Sequence, residues 1–458
     1  MCPCGTAPSH TLDGMTETSP GGLLGGVRAR ARHVEAQTPE DRDRYADLIR
    51  VAAILVVVYG HWMAAVVLVD DGQLVTTQLL VVEPWTRVAT WVAQVMPLFF
   101  LVGGRVNAGS LRRARESGLS AAEWVRKRSR RLLRPMLPLL AIWVPLGPVL
   151  ELAGVSEGLV EVATETAFIP LWFLVVYLLV IVFAPVTWRL HARFGWWLVP
   201  LGVTLVALVD GLDRAGVPAV GYANYLLVFG LAHQFGYLWA QDRLPVGRQA
   251  LNLVWMGLSA ALALVALAGY PASMVGLQAD ADSNATPPTL ALVALAVAQL
   301  GAVLALRRPV TSWLHRHPVP WAAVVSLGTA IITVFLWHMT ALLVVASLTH
   351  LTGWWPEMTE IDRLWWWLRP VWLVLCTVAL VPLVLAFRGF EGSGDPVPGG
   401  PATTVAGVAA TAGGLGFILT EGLYDAGRAL GVPLGALALL VVGIGCLGIH
   451  HRDRDGAG

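Results

Sequence analysis

Long apolar runs separated by short polar segments organise the chain. A helix crossing the hydrocarbon core needs about 20 apolar residues. Runs of that kind fall near 48–69, 85–106, 132–150, 171–188, 194–209, 221–240, 250–269, 289–306, 322–347 and 366–387. Beyond the Gly/Pro-rich stretch Gly392–Pro401 come a weak, small-residue-rich run over 403–420 and a strong one over 432–449. The pattern predicts an all-α fold, a polytopic transmembrane helix bundle of ten core spans plus two C-terminal ones. Residues 1–46 contain no apolar run and no signal-peptide pattern, and are expected to form a disordered cytoplasmic tail. The expected organisation is therefore that tail, a membrane core over 47–390, a linker over 391–402, a further transmembrane pair over 403–450 and a cytoplasmic tail over 451–458.

The basic residues orient these spans, because cytoplasmic loops are rich in Arg and Lys. With the N-terminus inside, the inner segments hold 25 of the 31 Lys and Arg residues. The outer loops hold four, Arg214, Arg363, Arg369 and Arg428, while Arg50 and Arg87 fall within or at the ends of spans. The segment after the second run is densest, with Arg112, Arg113, Arg115, Arg126, Lys127, Arg128, Arg130, Arg131 and Arg134. Loops 70–78, 151–169 and 270–288 contain no basic residue. A cytoplasmic N-terminus is the expected topology.

Composition agrees: 56% hydrophobic and 13% charged residues, with mean hydropathy +0.66, exclude an ordinary soluble domain. The 20 Trp residues suit membrane–water interfaces. Four cysteines are too few and scattered for a disulfide framework. Cys2 and Cys4 lack neighbouring ligands, and no zinc, phosphate-loop or dinucleotide motif occurs, so neither a metal nor a nucleic-acid partner is expected. Lys127 is the single lysine; with the Ala, Gly and Val excess this suggests a GC-rich bacterial genome, hence a bacterial cytoplasmic membrane.

The first span carries the most suggestive chemistry. Arg50 and His61 are eleven positions apart, about three turns plus 20°, which places both on one face with an axial separation of about 16 Å. Asp47 is placed to cap the helix. On the expected span, Arg50 sits at the inner surface and His61 near mid-membrane. Ionisable groups inside a bilayer usually face the protein interior or a reaction path, and a neutral imidazole accepts protons. A hydrogen bond to a neighbouring helix accounts for a lone buried His equally well. Glu83 and Arg87 are spaced for a helical ion pair, and His233 and Gln234 read as packing polar groups. His338, on the outward half of a late span, can line an acceptor side, relay a proton or bond another helix.

In that setting Asp47, Arg50 and His61 resemble the first-span pattern of the membrane acyltransferase-3 family, which includes enzymes that O-acetylate bacterial surface polysaccharides. Pro97–Gly104 resembles the family's Phe-Phe-rich second-span motif, with Gly103 where Ser is commoner. Arg128–Pro135 resembles its basic lead into the third span, Leu171-Trp172-Phe173-Leu174 the start of the fourth, and Phe335–Met339 the late aromatic–Leu–x–His signature. These matches keep the family order over roughly residues 44–387.

The resemblance implies an acyl-CoA donor, most often acetyl-CoA, and an acceptor hydroxyl on a carbohydrate, glycolipid or small molecule of the cell envelope. Arg50, Arg128 and Arg131, with Arg134 next, suit the donor phosphates through charge-assisted hydrogen bonds. His61 is the expected general base and His338 an acceptor-side candidate. A multi-span transporter or flippase of a glycan or lipid-linked substrate is the rival reading, but the repeated halves with broken helices common in that class are not visible.

Overall fold

The computed structural model describes residues 23–70, 73–276, 282–392 and 399–449. The tail over 1–22 with Cys2 and Cys4, residues 393–398 of the expected linker and the tail over 451–458 lie outside the described residues. Leaving four-residue helical turns unnumbered, the helices are α1 Leu23–Ala36, α2 Arg44–Ala64, α3 Met96–Glu116, α4 Ala121–Leu133, α5 Met136–Leu152, α6 Glu157–Phe168, α7 Leu171–Phe194 and α8 Leu198–Arg214. They continue as α9 Ala223–Ala240, α10 Leu251–Leu267, α11 Leu290–Arg316, α12 Pro318–Gly328, α13 Ile331–Leu351, α14 Arg363–Phe387, α15 Pro401–Glu421 and α16 Leu434–Leu447.

The result is an all-α polytopic bundle around a main apolar core, with a small second cluster of Val66, Leu79 and Trp365 beside it. Among the described residues, eight helical stretches are long and apolar enough to cross a bilayer, or nine if the bent pair α4–α5 counts as one. The bend is 49° and falls at Pro135, which cannot donate a backbone hydrogen bond. α9 is not in that set, since Asn224, His233 and Gln234 dilute its apolar character.

Four sequence expectations are corrected. The run over 322–347 is not one helix but the short α12 and the longer α13, divided at Thr329–Ala330. The divided chain leaves the first amides of α13 open to an outside partner, and Glu391 Oε1 accepts the Thr333 N–H at 2.6 Å. The first span starts and stops earlier than its apolar run: Asp43, not Asp47, is the N-cap and accepts the Ala46 N–H at 3.0 Å. Its end at Ala64 gives way to an antiparallel hairpin, β1 Ala65–Asp70 with β2 Gln73–Gln78, rich in the Val and Thr residues that favour strands. Val69 N–H donates to Met358 O at 2.8 Å and ties that hairpin to the segment before α14. His61 accordingly stands in the last turn of α2.

The expected disorder over 1–46 does not hold for its second half. α1 packs on α12, Arg44 forms a bidentate pair with Glu35 at 2.7 and 2.8 Å, and Arg42 and Arg44 lie over the Trp321 ring. Those charge and cation–π contacts offset the helix's poor apolar content. Finally, Glu83 and Arg87 form no ion pair: Glu83 accepts from Trp85 Nε1 and Arg87 donates to Leu80 O, because residues 84–89 wind as a 3-10 helix.

Helices α3 and α9 approach closely. A Cβ at Gly104 would overlap the His233 carbonyl oxygen, so only glycine lets these backbones approach. Replacing Gly104 by Ala is expected to destabilise the protein by about 1–3 kcal/mol through overpacking, read as a lower Tm in detergent. Gly416→Ala, whose new methyl would meet nothing within 4 Å, is the control and should change stability by no more than about 1 kcal/mol.

Candidate active site

Two groups of polar side chains occupy opposite halves of the bundle interior, linked along α2. The first is a pair of imidazoles. His61 Nδ1 lies 2.8 Å from His338 Nε2, and the two ring planes are nearly parallel, 7° apart, with centroids 5.1 Å apart, as an in-plane bond between ring edges requires. His338 is fully buried and His61 half-buried. The other nitrogen of His338, Nδ1, lies 2.5 Å from Phe335 O. A carbonyl oxygen only accepts, so that nitrogen carries the proton and Nε2 presents a lone pair. His61 Nδ1 must then donate to His338, which leaves the lone pair of His61 on Nε2. One backbone carbonyl thus sets the tautomer of both rings. Trp62 Nε1 donates to His338 O at 2.9 Å and fastens α2 to α13 beside the pair.

The second group is basic. Arg128 on α4 lies within electrostatic range of Arg50, Arg113, Arg131 and the Tyr177 phenol. Arg50 Nη2 donates to Asp47 Oδ1 at 2.8 Å, while its Nε is buried without a partner. Arg50 faces Gly328 at the end of α12, just as His61 faces His338 on α13. The arginine and the histidine therefore turn toward the same divided element, about 16 Å apart along the helix. Arg128 stacks over Trp124 at 5.6 Å. Arg134 Nη1 donates to Gly392 O at 3.4 Å, beside the connection to α15.

The weak aromatic motifs of the sequence converge between these groups. Phe99 and Phe100 of α3 pack edge-on against Phe173 of α7, with centroids 4.8 and 5.7 Å apart. Phe173 in turn meets Phe335 of α13 at 5.2 Å, and Phe335 lies 5.8 Å from His338. Gly103 has a local reason too: a Cβ there would stand 3.0 Å from the Tyr177 hydroxyl, so the missing side chain makes room for that phenol.

Sequence reasoning missed Tyr177 and Glu391 in this neighbourhood and named Arg113 only as one of the basic segment. Asn107 Nδ2 lies 3.1 Å from His233 Nε2. Gln234 Nε2 lies 2.6 Å from His191 Nδ1, and Asn224 Nδ2 donates to Asp210 Oδ1 at 2.6 Å, so all three polar groups of α9 meet a neighbouring helix. Among the described residues no group of three or more His, Cys, Asp or Glu could hold a metal ion.

A multi-pass helical membrane protein with a tautomer-locked histidine pair and a basic cluster at one end of the same helix is thus defined. The acyltransferase-3 family profile, described as an acyltransferase domain, matches residues 43–389. The chain belongs to that family and carries its acyltransferase domain. No curated protein and no solved structure gives a significant match.

α15 and α16 lie beyond the matched region, yet they hold the basic helix. Arg126 of α4, almost fully buried, donates to Thr404 Oγ1 at 3.1 Å, Thr403 Oγ1 at 2.6 Å and Cys446 O at 3.0 Å. Each such charged-donor bond is worth about 1.5–3 kcal/mol. Arg126→Ala should lower Tm and speed maleimide labelling of the half-buried Cys446, while leaving the buried Cys376 protected. Unchanged labelling at both cysteines would mean that the pair docks without this arginine.

Proposed function

We propose that the protein transfers an acyl group, acetyl in the first instance, from acyl-CoA to a hydroxyl of a cell-envelope carbohydrate, with His61 as general base. The observation that carries this reading is the hydrogen-bond order Phe335 O, His338, His61, which leaves His61 Nε2 unprotonated and oriented. The acceptor O–H gives its proton to Nε2 as the oxygen attacks the thioester carbonyl carbon. The C–S bond then breaks, and the imidazolium returns the proton to the departing thiolate. His338 positions His61 and shares the imidazolium charge through the 2.8 Å bond. It acts through His61 rather than as an acceptor contact.

Arg50, Arg128 and Arg131 hold the phosphates of the donor, their planar guanidinium groups matching phosphate oxygens, and Arg134 serves the adjoining chain connection. The extended arm of CoA suits the separation of about 16 Å between Arg50 and His61 along α2. With the N-terminus in the cytoplasm of a bacterium, the arginine end meets cytosolic acyl-CoA and the histidine pair stands toward the envelope. The excess of Arg in alternate segments supports that orientation, and family membership favours group transfer over transport.

Purified protein given labelled acetyl-CoA and envelope acceptor tests the reading. His61→Ala should lose about 10²–10⁴-fold in turnover with Tm retained; turnover equal to wild type removes His61 from the mechanism. Gln at position 338 keeps an oxygen that accepts from His61 Nδ1, so His338→Gln should retain more kcat than His338→Phe. Equal losses would show that His338 does not orient the base. Neutralising Arg128 and Arg131 together as Gln should raise KM for acetyl-CoA by about tenfold or more with a smaller change in kcat. Unchanged donor affinity would place the phosphate site elsewhere.

A further inference from the structure

At the end of the bundle away from the basic cluster stands another guanidinium, with a different environment. Arg369 of α14 is 6% exposed, and its guanidinium lies 3.6 Å from the Trp365 ring centroid and 5.6 Å from that of Trp372. Its Nη2 donates to Ala65 O at 2.7 Å. Guanidinium carries five N–H donors, and no carboxylate lies within ion-pair distance of Arg369 among the described residues. Buried charges are normally paired, because an uncompensated one is costly.

A second observation points the same way. Trp372, one turn further along α14, is 3% exposed and its indole N–H has no acceptor. Arg369 and Trp372 line one cavity of about 20 Å³ with His350, Trp355 and Trp365. That is room for one water-sized atom. The polar lining is rich in donors; of the acidic groups nearby, the exposed Glu357 acts on His350 and Asp362 accepts the Trp365 backbone N–H at 2.8 Å. The site also touches the histidine pair through the backbone: Ala65 N–H donates to His61 O, while Ala65 O accepts from Arg369.

We propose that this cavity is an anion site, taking a chloride-sized ion or one carboxylate oxygen of an acidic sugar. In the second case the sugar belongs to the acceptor, and this part rests on the acyl-transfer reading; binding itself does not. Indole and guanidinium donors converge on the bound atom, and the Trp355 and Trp365 rings flank it, the second against the guanidinium.

The test is Tm and tryptophan fluorescence of the full chain in detergent, without acyl-CoA, titrated separately with sodium chloride, sodium glucuronate and glucose. Ionic strength is held with the sodium salt of a bulky buffer anion. Chloride, glucuronate or both should give a saturable rise in Tm and a fluorescence change; glucose should give neither. Response to chloride alone assigns a free-ion site, and response to glucuronate assigns the carboxylate of an acidic sugar. Arg369→Gln should weaken binding about tenfold or more, and Trp372→Phe, which keeps the ring and removes the donor, about three- to tenfold. Should Arg369→Gln fail to fold, Trp372→Phe decides the matter. No saturable response to either anion, or unaltered affinity in Trp372→Phe and in any folded Arg369→Gln, overturns the proposal. Acetyl transfer that persists in that event would leave the proposed function standing.

Discussion

The hydrogen bond between His61 and His338 joins side chains 277 positions apart in the chain, and most of the architecture can be understood as what holds it. A 2.8 Å contact between two rings on different helices tolerates little sliding or rotation of either helix. Trp62 reaches across to the His338 carbonyl and fixes the relative height. Phe335, whose carbonyl sets the tautomers, is itself wedged against Phe173 and so against α3 and α7. The aromatic cluster therefore helps to seat the helix whose own Phe335 carbonyl sets the tautomers. Packed interiors transmit such constraints because they have few soft directions.

The charged residues follow a different logic. Around Arg50 and Arg128 like charges are gathered with few carboxylates, which costs energy in the free protein and makes sense where an anion arrives. Asp47 offsets part of that repulsion through its bond to Arg50 and accepts from Arg42 on its other oxygen. Arg126, on the same basic helix, is spent on docking α15 and α16 instead. One segment thus gathers Arg128 and Arg131 near Arg50 and turns Arg126 into a structural anchor, a division that identical side chains hide in sequence.

Fold class was plain from the apolar runs, since a bilayer demands helices of a known length and satisfied backbone groups. The Arg50–His61 stripe was legible because helical spacing is arithmetic. The partner of His61 was not, because nothing local to His338 says which distant helix it meets. The division of 322–347 escaped notice because its agents are Gly328-Thr329 and a carboxylate from beyond α14, neither of which lowers the apolar content of the run. The hairpin had a signal, an Asp-Gly pair at 71–72 between Val- and Thr-rich stretches, but hydropathy alone outweighed it. The helix over 23–36 was hidden for the opposite reason: it is held by Glu35–Arg44 and the Trp321 ring rather than by an apolar stripe.

The cap on α13 bears on how the molecule is made. Glu391 follows α14, so the amide of Thr333 receives its carboxylate only after the chain has been synthesised to the edge of the linker. During insertion by the ribosome and translocon, α2 waits in the membrane with a histidine whose partner helix is still unanchored at its start. The start of α13, the helix that carries His338, is consequently capped late, once nearly the whole acyltransferase domain has been made.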